Sequence, residues 1–356
     1  MRAIRVLHVL GSTGQEATGM VRVVSGLVAQ MPVREVQQTV AFLDHPGPLS
    51  TRLQQSETTV ATLGRPQGIR HAWKLIQLIQ QTSQDIVHFH VGGLHLIRTI
   101  RAWSGVRTIR QVHGTVNEAN GRSAIIRGNN GISGWIAVSE NTRRHIETDR
   151  PCRVIYPGVG WVENGKRPPP DRFVIGALGR LVGVKNFSLL IEAFERVAAQ
   201  YPDVELEIVG DGPLKTSLVD QSARGLHGER IRLPGWQEDP SRYFQRWHLF
   251  VMPSREEAFG LALVEAMQAG LPVVTSDAGA LPELVTNGSE GLHFRSGDAV
   301  SLATTIVALR RDQKQRERLA LQGQAKARRL FNPQRMAEET RSFYEGLLAS
   351  HERSHV

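Results

Sequence analysis

The sequence predicts an α/β protein: two Rossmann-like domains facing a cleft, with a C-terminal helix crossing back to the first domain. Three observations carry this. Apolar, strand-like runs alternate with helical patterns through the first 160 residues, which implies a parallel sheet covered on both faces. The alternation breaks at Trp161–Pro170, a polar run closed by three prolines, and then restarts. After the last strand-like run two helical stretches remain, 313–330 and 334–348, separated by Phe331-Asn332-Pro333. The expected parts are a first domain over 1–165, a second over 171–330, and a crossing helix with tail over 334–356.

In the first domain, Ile4–Leu10 reads as a buried strand. The start Met1–Gly11 is basic and then apolar, but the run is short, contains His8 and ends in glycine, so a strand fits better than a signal peptide. A loop with Gly11, Gly14 and Gly19 follows, then a helix from about Met20 to Gln30. Gly14 and Gly19 would let backbone approach a phosphate or an acceptor. Further strands are expected at Thr39–Leu43, Val60–Leu63, Ile86–His90, Thr108–His113 and Gly134–Val138. Helices are expected at His71–Gln81 and Leu94–Trp103. Parallel sheets of this kind bind ligands outside the carboxyl ends of their strands, which is where His90 and His113 fall. His88 and His90 have the look of a zinc pair, but no third ligand stands at a readable spacing, so core or cleft-lining histidines are the reading.

Composition bounds the rest. The chain has 356 residues, 40% hydrophobic and 22% charged, enough for two ordinary domains. No apolar run approaches the roughly 20 residues of a spanning helix. Cys152 is the one cysteine, so no internal disulfide forms, as suits a reducing cytoplasm. The net charge of +9 is uneven: residues 1–170 hold 20 Lys+Arg against 10 Asp+Glu, and residues 171–356 hold 23 against 24. A basic first half suits nucleic acid, an anionic membrane surface or a phosphate-bearing substrate. Neither zinc-finger spacing nor an aromatic RNA-binding run supports nucleic acid. On the predicted helix 94–103, Leu96, Ile97, Ile100 and Trp103 share one side and Arg98 and Arg101 the other. That pattern fits core packing or, more sharply, a membrane-surface patch.

The second domain should place strands at Phe173–Leu178, Val204–Val209, Ile231–Leu233, Leu249–Met252, Val273–Thr275 and Gly291–Phe294. Helices are expected at Asn186–Gln200, Pro213–Ala223, Leu261–Ala269 and Ala299–Arg311. Arg180 and Lys185 follow the first of these strands on a glycine-containing loop leading into a helix, a place for two cations to neutralise a diphosphate. Gly210, in Gly210-Asp211-Gly212, marks a tight turn at the next strand end and is expected beside the nucleotide. Trp236, after Arg232-Leu-Pro-Gly, would stand beside a nucleobase or in the core. Glu257 and Glu265, eight positions apart, flank the loop-to-helix turn at Gly260. Carboxylates accept from hydroxyls, and the amides of Phe259, Gly260 and Leu261 would open a helix whose positive end suits an anion. The competing reading is a buried strand, a turn and an amphipathic helix with two solvated acids.

Taken together, Gly179-Arg180-Leu181 with Lys185, Gly210-Asp-Gly-Pro-Leu214, Glu257-Ala-Phe-Gly-Leu261 with Glu265-Ala266, Gly270-Leu-Pro-Val-Val274 and Gly279…Pro282-Glu-Leu-Val285 resemble the retaining glycosyltransferases of family 4, with their E-x7-E motif and GT-B fold. In the first half, Thr18–Val24, His113-Gly114, Ala137–Glu140 and Val154–Val159 fit the same family. Three positions depart from its usual pattern: Thr18 for glycine, Val21 for glutamate, and Tyr156-Pro157-Gly158 for proline-asparagine-glycine. The resemblance implies that Arg180 and Lys185 hold the donor diphosphate, Glu257 the hydroxyls of the donor sugar and Glu265 the ribose. It also implies amides near Phe259–Leu261 at the sugar and phosphate, and His113 at the donor sugar beside the developing positive charge. The implied activity is metal-independent, retaining transfer from a nucleotide-diphosphate sugar to a glycan or lipid-linked acceptor with an α-linkage. UDP is favoured over GDP, and the expected role lies in bacterial surface polysaccharide or lipopolysaccharide assembly. The expected setting is cytoplasmic, peripheral at the inner membrane face, with no nucleic-acid partner. A GDP-mannose-dependent mannosyltransferase is the alternative, followed by a non-catalytic binding protein. Gly11, Gly14 and Gly19 lack the G-x-G-x-x-G spacing of a dinucleotide oxidoreductase.

Overall fold

The computed structural model describes residues 2–11, 18–44, 58–64, 69–114, 126–127, 131–160, 162 and 172–352. They divide into two compact units, Met1–Val159 with Asn332–Val356, and Gly160–Phe331.

The first unit runs β1 (Ile4–Leu10), α1 (Thr18–Gln30), β2 (Val36–Phe42), β3 (Thr59–Thr62), α2 (Ile69–Thr82), β4 (Ile86–Phe89), α3 (Leu94–Ser104), β5 (Arg107–Val112), β6 (Ile126–Arg127), β7 (Gly134–Ala137), α4 (Glu140–Arg143), β8 (Ile146–Glu147) and β9 (Cys152–Val154). Seven of these strands form one sheet in the order β3-β2-β1-β4-β5-β7-β9, and every neighbouring pair is parallel. β6 and β8 pair separately. Both faces of the sheet are covered, so β1 is buried from Val6 to Leu10, as expected of near-continuous apolar strands in parallel sheets. Leu7, Val9, Val87 and Phe89 pack with Ile97 and Ile100 of α3 on one face. Leu10 and Val40 pack with Val24 and Val28 of α1 on the other.

The second unit runs β10 (Phe173–Leu178), α5 (Phe187–Ala198), β11 (Val204–Val209), α6 (Lys215–Arg224), β12 (Ile231–Gly235), α7 (Ser241–Arg246), β13 (Leu249–Met252), α8 (Leu261–Gln268), β14 (Val273–Ser276), α9 (Leu281–Leu284), β15 (Leu292–Phe294), α10 (Ala299–Arg311) and α11 (Gln313–Leu330). Its sheet has the order β12-β11-β10-β13-β14-β15, again all parallel. Gly176 lets β10 pass beneath Trp247: a Cβ there would come within 1.8 Å of the indole. The indole in turn donates to the buried carboxylate of Glu207 at 2.8 Å, which also takes two bonds from Arg246 at 2.9 and 2.6 Å. Three donors satisfy a charge that burial would otherwise penalise by several kcal/mol.

The last helix, α12 (Pro333–Glu352), belongs to the first unit. Its apolar stripe is buried at Met336, Phe343, Tyr344 and Leu347. Phe343 and Leu347 lie over Gly134 of β7, where a Cβ would come within 2.9 Å of either. Pro333 makes the start of α12 a fresh one, since it lacks an N–H and favours a first-turn position.

Three expectations need adjustment. Trp103 does not continue the buried ridge of Ile97 and Ile100: it sits in the last turn of α3 with 75% of its surface exposed. Trp236 is not a core residue, being 45% exposed just after β12. The division into units falls at Val159/Gly160 and not at the proline run, whose residues 163–171 lie outside the described ones.

Candidate functional site

In the second unit the strand order reverses between β10 and β13. The crevice beyond the carboxyl ends of such a strand pair is where open parallel sheets bind ligands. The sequence after β10 supplies the exposed Arg180, then a single 3-10 turn over Gly183–Lys185. Asn186 ends that turn at φ 54°, and α5 begins. The loop is clasped from β11. Leu181 N–H donates to the Asp211 carbonyl at 2.8 Å, and Gly179 N–H to Val209 at 3.0 Å. Gly210, at φ 141°, touches the Gly179 carbonyl so closely that a Cβ would stand 1.9 Å from it. Gly210 thus has a packing reason of its own: it shapes the backbone that carries Arg180.

The loop after β13 meets this one directly. Arg255 N–H donates to the Val184 carbonyl at 2.8 Å, which sets the 3-10 turn against Pro253–Gly260 and pairs Lys185 Nζ with Glu257 Oε2. Ser254 Oγ adds a bond to the same oxygen at 3.3 Å. From the far side, Ala280 N–H donates to the Glu257 carbonyl at 2.8 Å. Gly279, at φ 59°, lies against the Glu257 backbone, where a Cβ would come within 2.5 Å of its nitrogen. Glu257 is therefore held on three sides, and its side chain is left 13% exposed.

The other expected residues fall around this pair in different ways. Gly260, at φ 100°, is the N-cap of α8, and no side chain caps that helix start. Leu261 opens α8. Phe259 turns its ring inward, 4% exposed and edge-on to Phe331 at 5.4 Å, so the ring is part of the core. Glu265 lies in the second turn of α8 and is 3% exposed, not a solvated surface acid. Gly14 lies outside the described residues, and Gly19 falls in the first turn of α1, which starts at Thr18, two residues before the expected Met20. Sequence reading missed Ser254, Asn186 and the closeness of Gly279 to Glu257. The positive φ at Asn186 had a signal, since asparagine tolerates left-handed backbone.

His113 belongs to the first unit, just past β5, and it is not alone. His8 pairs in parallel register with His88, and His90 stands two residues on, hence on the same sheet face. His8 Nδ1 and His90 Nε2 are 3.1 Å apart, and His90 Nδ1 and His113 Nε2 are 2.9 Å apart. His88 Nδ1 meets the Tyr344 hydroxyl of α12 at 2.7 Å. Burial pushes His8 and His113 down to about 4, and His88 and His90 well below the ordinary histidine value, so all four rings are neutral at pH 7. The third nitrogen that the His88/His90 pair lacked is His8: ligand-capable atoms of the three lie within 4.8 Å of one another. The two nitrogens that face each other across His8 and His90 are spent on a hydrogen bond, which a metal would have to open.

The family model for glycosyltransferase family 4 matches residues 17–160, and that for glycosyl transferases group 1 matches residues 163–326. Among curated proteins, the capsular polysaccharide biosynthesis glycosyltransferase CapM of Staphylococcus aureus is 28% identical over 51% of this chain and 48% of its own length. The lipopolysaccharide core biosynthesis glycosyltransferase LpsD of Rhizobium meliloti is 34% identical over 46% and 47%. The chain thus spans about half the length of these two relatives. Among solved structures, Anabaena Alr3699/HepE in complex with UDP and glucose superposes with a TM-score of 0.82 at 20% identity, covering 96% of this chain and all of that one. Two parallel-sheet α/β units of this kind make the GT-B fold. The two family matches together take in both units, and the chain belongs to the group 1, family 4 glycosyltransferases.

Proposed function

We propose that this chain is a retaining glycosyltransferase that moves a sugar from a UDP-sugar to a glycan or lipid-linked acceptor with an α-linkage, in bacterial surface polysaccharide or lipopolysaccharide biosynthesis. The observation that carries the reading is the contact of Lys185 with Glu257 at the β10/β13 strand ends. A cation and a carboxylate stand together where a nucleotide binds a parallel sheet. In this reading Lys185 and Arg180 take the diphosphate, and Glu257, released by Lys185, accepts from sugar hydroxyls. Negative charge grows on the diphosphate as the glycosidic bond breaks, so fixed cations and the uncapped start of α8 stabilise that transition state without a metal. Glu265 is assigned to the ribose and Trp236 to the base. UDP is favoured because the Anabaena neighbour is a complex with UDP and glucose.

One relative supports a second reading. LpsB of Rhizobium meliloti, a lipopolysaccharide core biosynthesis mannosyltransferase, is 29% identical over half of this chain, which keeps GDP-mannose as the alternative donor. A thermal-shift panel with UDP, GDP and duplex DNA separates the readings. UDP should raise the melting temperature by several degrees, the effect of a ligand near 100 times its Kd. A shift with GDP alone selects the mannosyltransferase. A shift with neither nucleotide sinks both.

Peripheral attachment to an anionic membrane surface is part of the proposal. Among the described residues no helix is long and apolar enough to cross a bilayer. Trp73 of α2 and Trp103 of α3 are 60% and 75% exposed on helices that pack together, and Arg70 and Arg98 are exposed on the same helices. Tryptophan at the interface with arginine beside it is the composition that suits an anionic surface. Sedimentation with vesicles containing an anionic lipid should pull the chain down at low salt and release it at about 0.5 M salt, where the Debye length is shorter than 5 Å. Equal binding to neutral vesicles, or none to either, would refute the attachment.

A further inference from the structure

Four imidazoles meet inside the first unit. His8, His90 and His113 form a hydrogen-bonded row, and His88 stands beside it. Three of them, His8, His88 and His90, are exposed by no more than 5%. One nitrogen from each of these three rings lies within 4.8 Å of the other two, and no other three histidine, cysteine or acidic side chains among the described residues gather so closely. A tetrahedral zinc with Zn–N bonds of about 2.0–2.1 Å holds its ligand nitrogens about 3.4 Å apart. His8 Nδ1 and His90 Nε2, at 3.1 Å, already stand near that separation. The trio has to close by about 1.4 Å at most. His88 and His90, stacked with centroids 4.1 Å apart, fan apart as it does so.

Two of the rings are supported as metal ligands are. A histidine that holds a metal gives its other nitrogen to a partner that fixes the ring. His88 gives Nδ1 to the Tyr344 hydroxyl of α12 at 2.7 Å, and its Nε2 is buried with no hydrogen-bond partner. His90 gives Nδ1 to His113 Nε2 at 2.9 Å, and its Nε2 is the nitrogen that faces His8. Buried polar atoms are almost always bonded, so an orphan points to a missing water or ion. The orphaned Nε2 of His88 belongs to the same trio that gathers its nitrogens, and its ring is held by Tyr344 at the opposite nitrogen.

We propose that His8 Nδ1, His88 Nε2 and His90 Nε2 hold a zinc ion that clasps β1 to β4, with Tyr344 and His113 as positioning residues that aim two of the three rings. Each neutral imidazole has one lone pair for the metal and keeps its one proton on the other nitrogen, so binding displaces no proton. His88 Nδ1–H then donates to the Tyr344 oxygen, and His90 Nδ1–H to His113 Nε2. His8 keeps its proton on Nε2, which is buried without a partner. What the ion replaces is the hydrogen bond between His8 and His90. Zinc suits the place because imidazole is among its usual ligands and its filled d shell imposes no angles on the strands. Through Tyr344 the site reaches α12, so one ion fastens the first strand, the fourth and the last helix. No step of sugar transfer passes through it, and it does not depend on the transferase reading. In the metal-free chain burial alone keeps these rings neutral.

The test is made on the full chain without a polyhistidine tag, purified without chelator, and reads metal rather than transfer. Elemental analysis should find one zinc per chain, and the chain stripped by a chelator should take up one equivalent again. X-ray absorption at the zinc edge should show three imidazole nitrogens at about 2.0–2.1 Å. On adding zinc to the stripped chain, hydrogen exchange should slow in β1, β4 and α12 and stay as it was in β10 and β11. His88→Gln should lose the ion, while His293→Gln, in the second unit, keeps it. Tyr344→Phe keeps the buried ring, so it stays informative if His88→Gln does not fold, and it should weaken zinc binding by about 10- to 100-fold. A stripped chain that takes up no zinc overturns the proposal. So does zinc held undiminished by either variant, or exchange that slows only in the second unit.

Discussion

Glu257→Gln should lower the rate of sugar transfer by about 100-fold or more while leaving UDP bound as tightly as before or tighter. The magnitude is that of losing one fixed electrostatic partner in a transition state. The sign of the binding effect comes from the geometry. Glu257 is paired with Lys185, and in the proposed reaction a diphosphate competes with that carboxylate for the ammonium. A neutral amide gives up Lys185 at lower cost, so nucleotide binding has nothing to lose. The amide would keep the backbone bond from Ala280 and the fit of Gly279 against the loop, since neither involves the carboxylate. What it lacks is a second acceptor oxygen for sugar hydroxyls. Single-turnover transfer and UDP titration calorimetry on the same preparation check both halves. Full transfer activity would remove Glu257 from the reaction, and UDP binding weakened tenfold would show that its charge holds the nucleotide site open. Lys185→Ala provides the contrast, with weaker UDP binding as its first effect.

Much of this site was legible in the chain because parallel α/β architecture places function at strand ends. Once Phe173–Leu178 and Leu249–Met252 read as strands, Arg180, Lys185 and Glu257 had to follow their carboxyl ends. That Lys185 touches Glu257, 72 residues away, was not legible: it depends on which strands become neighbours. The strand order puts β13 beside β10, and the Arg255–Val184 backbone bond then joins their loops. The histidine row escaped for the same reason. His8 and His90 are 82 residues apart and meet only through the register of β1 on β4. Trp103 shows the opposite failure. Helical periodicity places it with Ile97 and Ile100, but period says nothing of where the covering sheet ends, and α3 runs past it. α7 and α9 were missed because helices of 6 and 4 residues are too short to display a 3.6-residue pattern.

Acidification should unfold the first unit before the second. In the folded chain burial holds His8 and His113 at about 4, and His88 and His90 lower than the ordinary value of 6.5. An unfolded chain binds protons at those rings as pH falls through 6.5, while the folded chain does not. The stabilising contribution is therefore complete above pH 6.5 and is lost as pH falls from 6.5 towards 4. For His8, fully buried, a displacement from 6.5 to about 4 corresponds to about 3 kcal/mol over that interval. The neighbouring rings act in the same direction. In the second unit the displaced groups that titrate on the acid side are carboxylates: Asp211, Glu290 and Asp298 lie below their ordinary values. Their contribution is fully present above the unfolded carboxylate pKa of about 4 and is lost only below it. The two units thus have separate pH windows. Hydrogen exchange at pH 7.5 and pH 5, corrected for the intrinsic rate, should show β1, β4 and α12 losing protection while β10 and β11 keep it. Tyr344 ties α12 to His88, so the end of the chain should loosen together with the sheet on which it packs. Equal loss of protection in both units, or earlier loss at β10 and β11, would mean that the histidine row does not govern stability in this range.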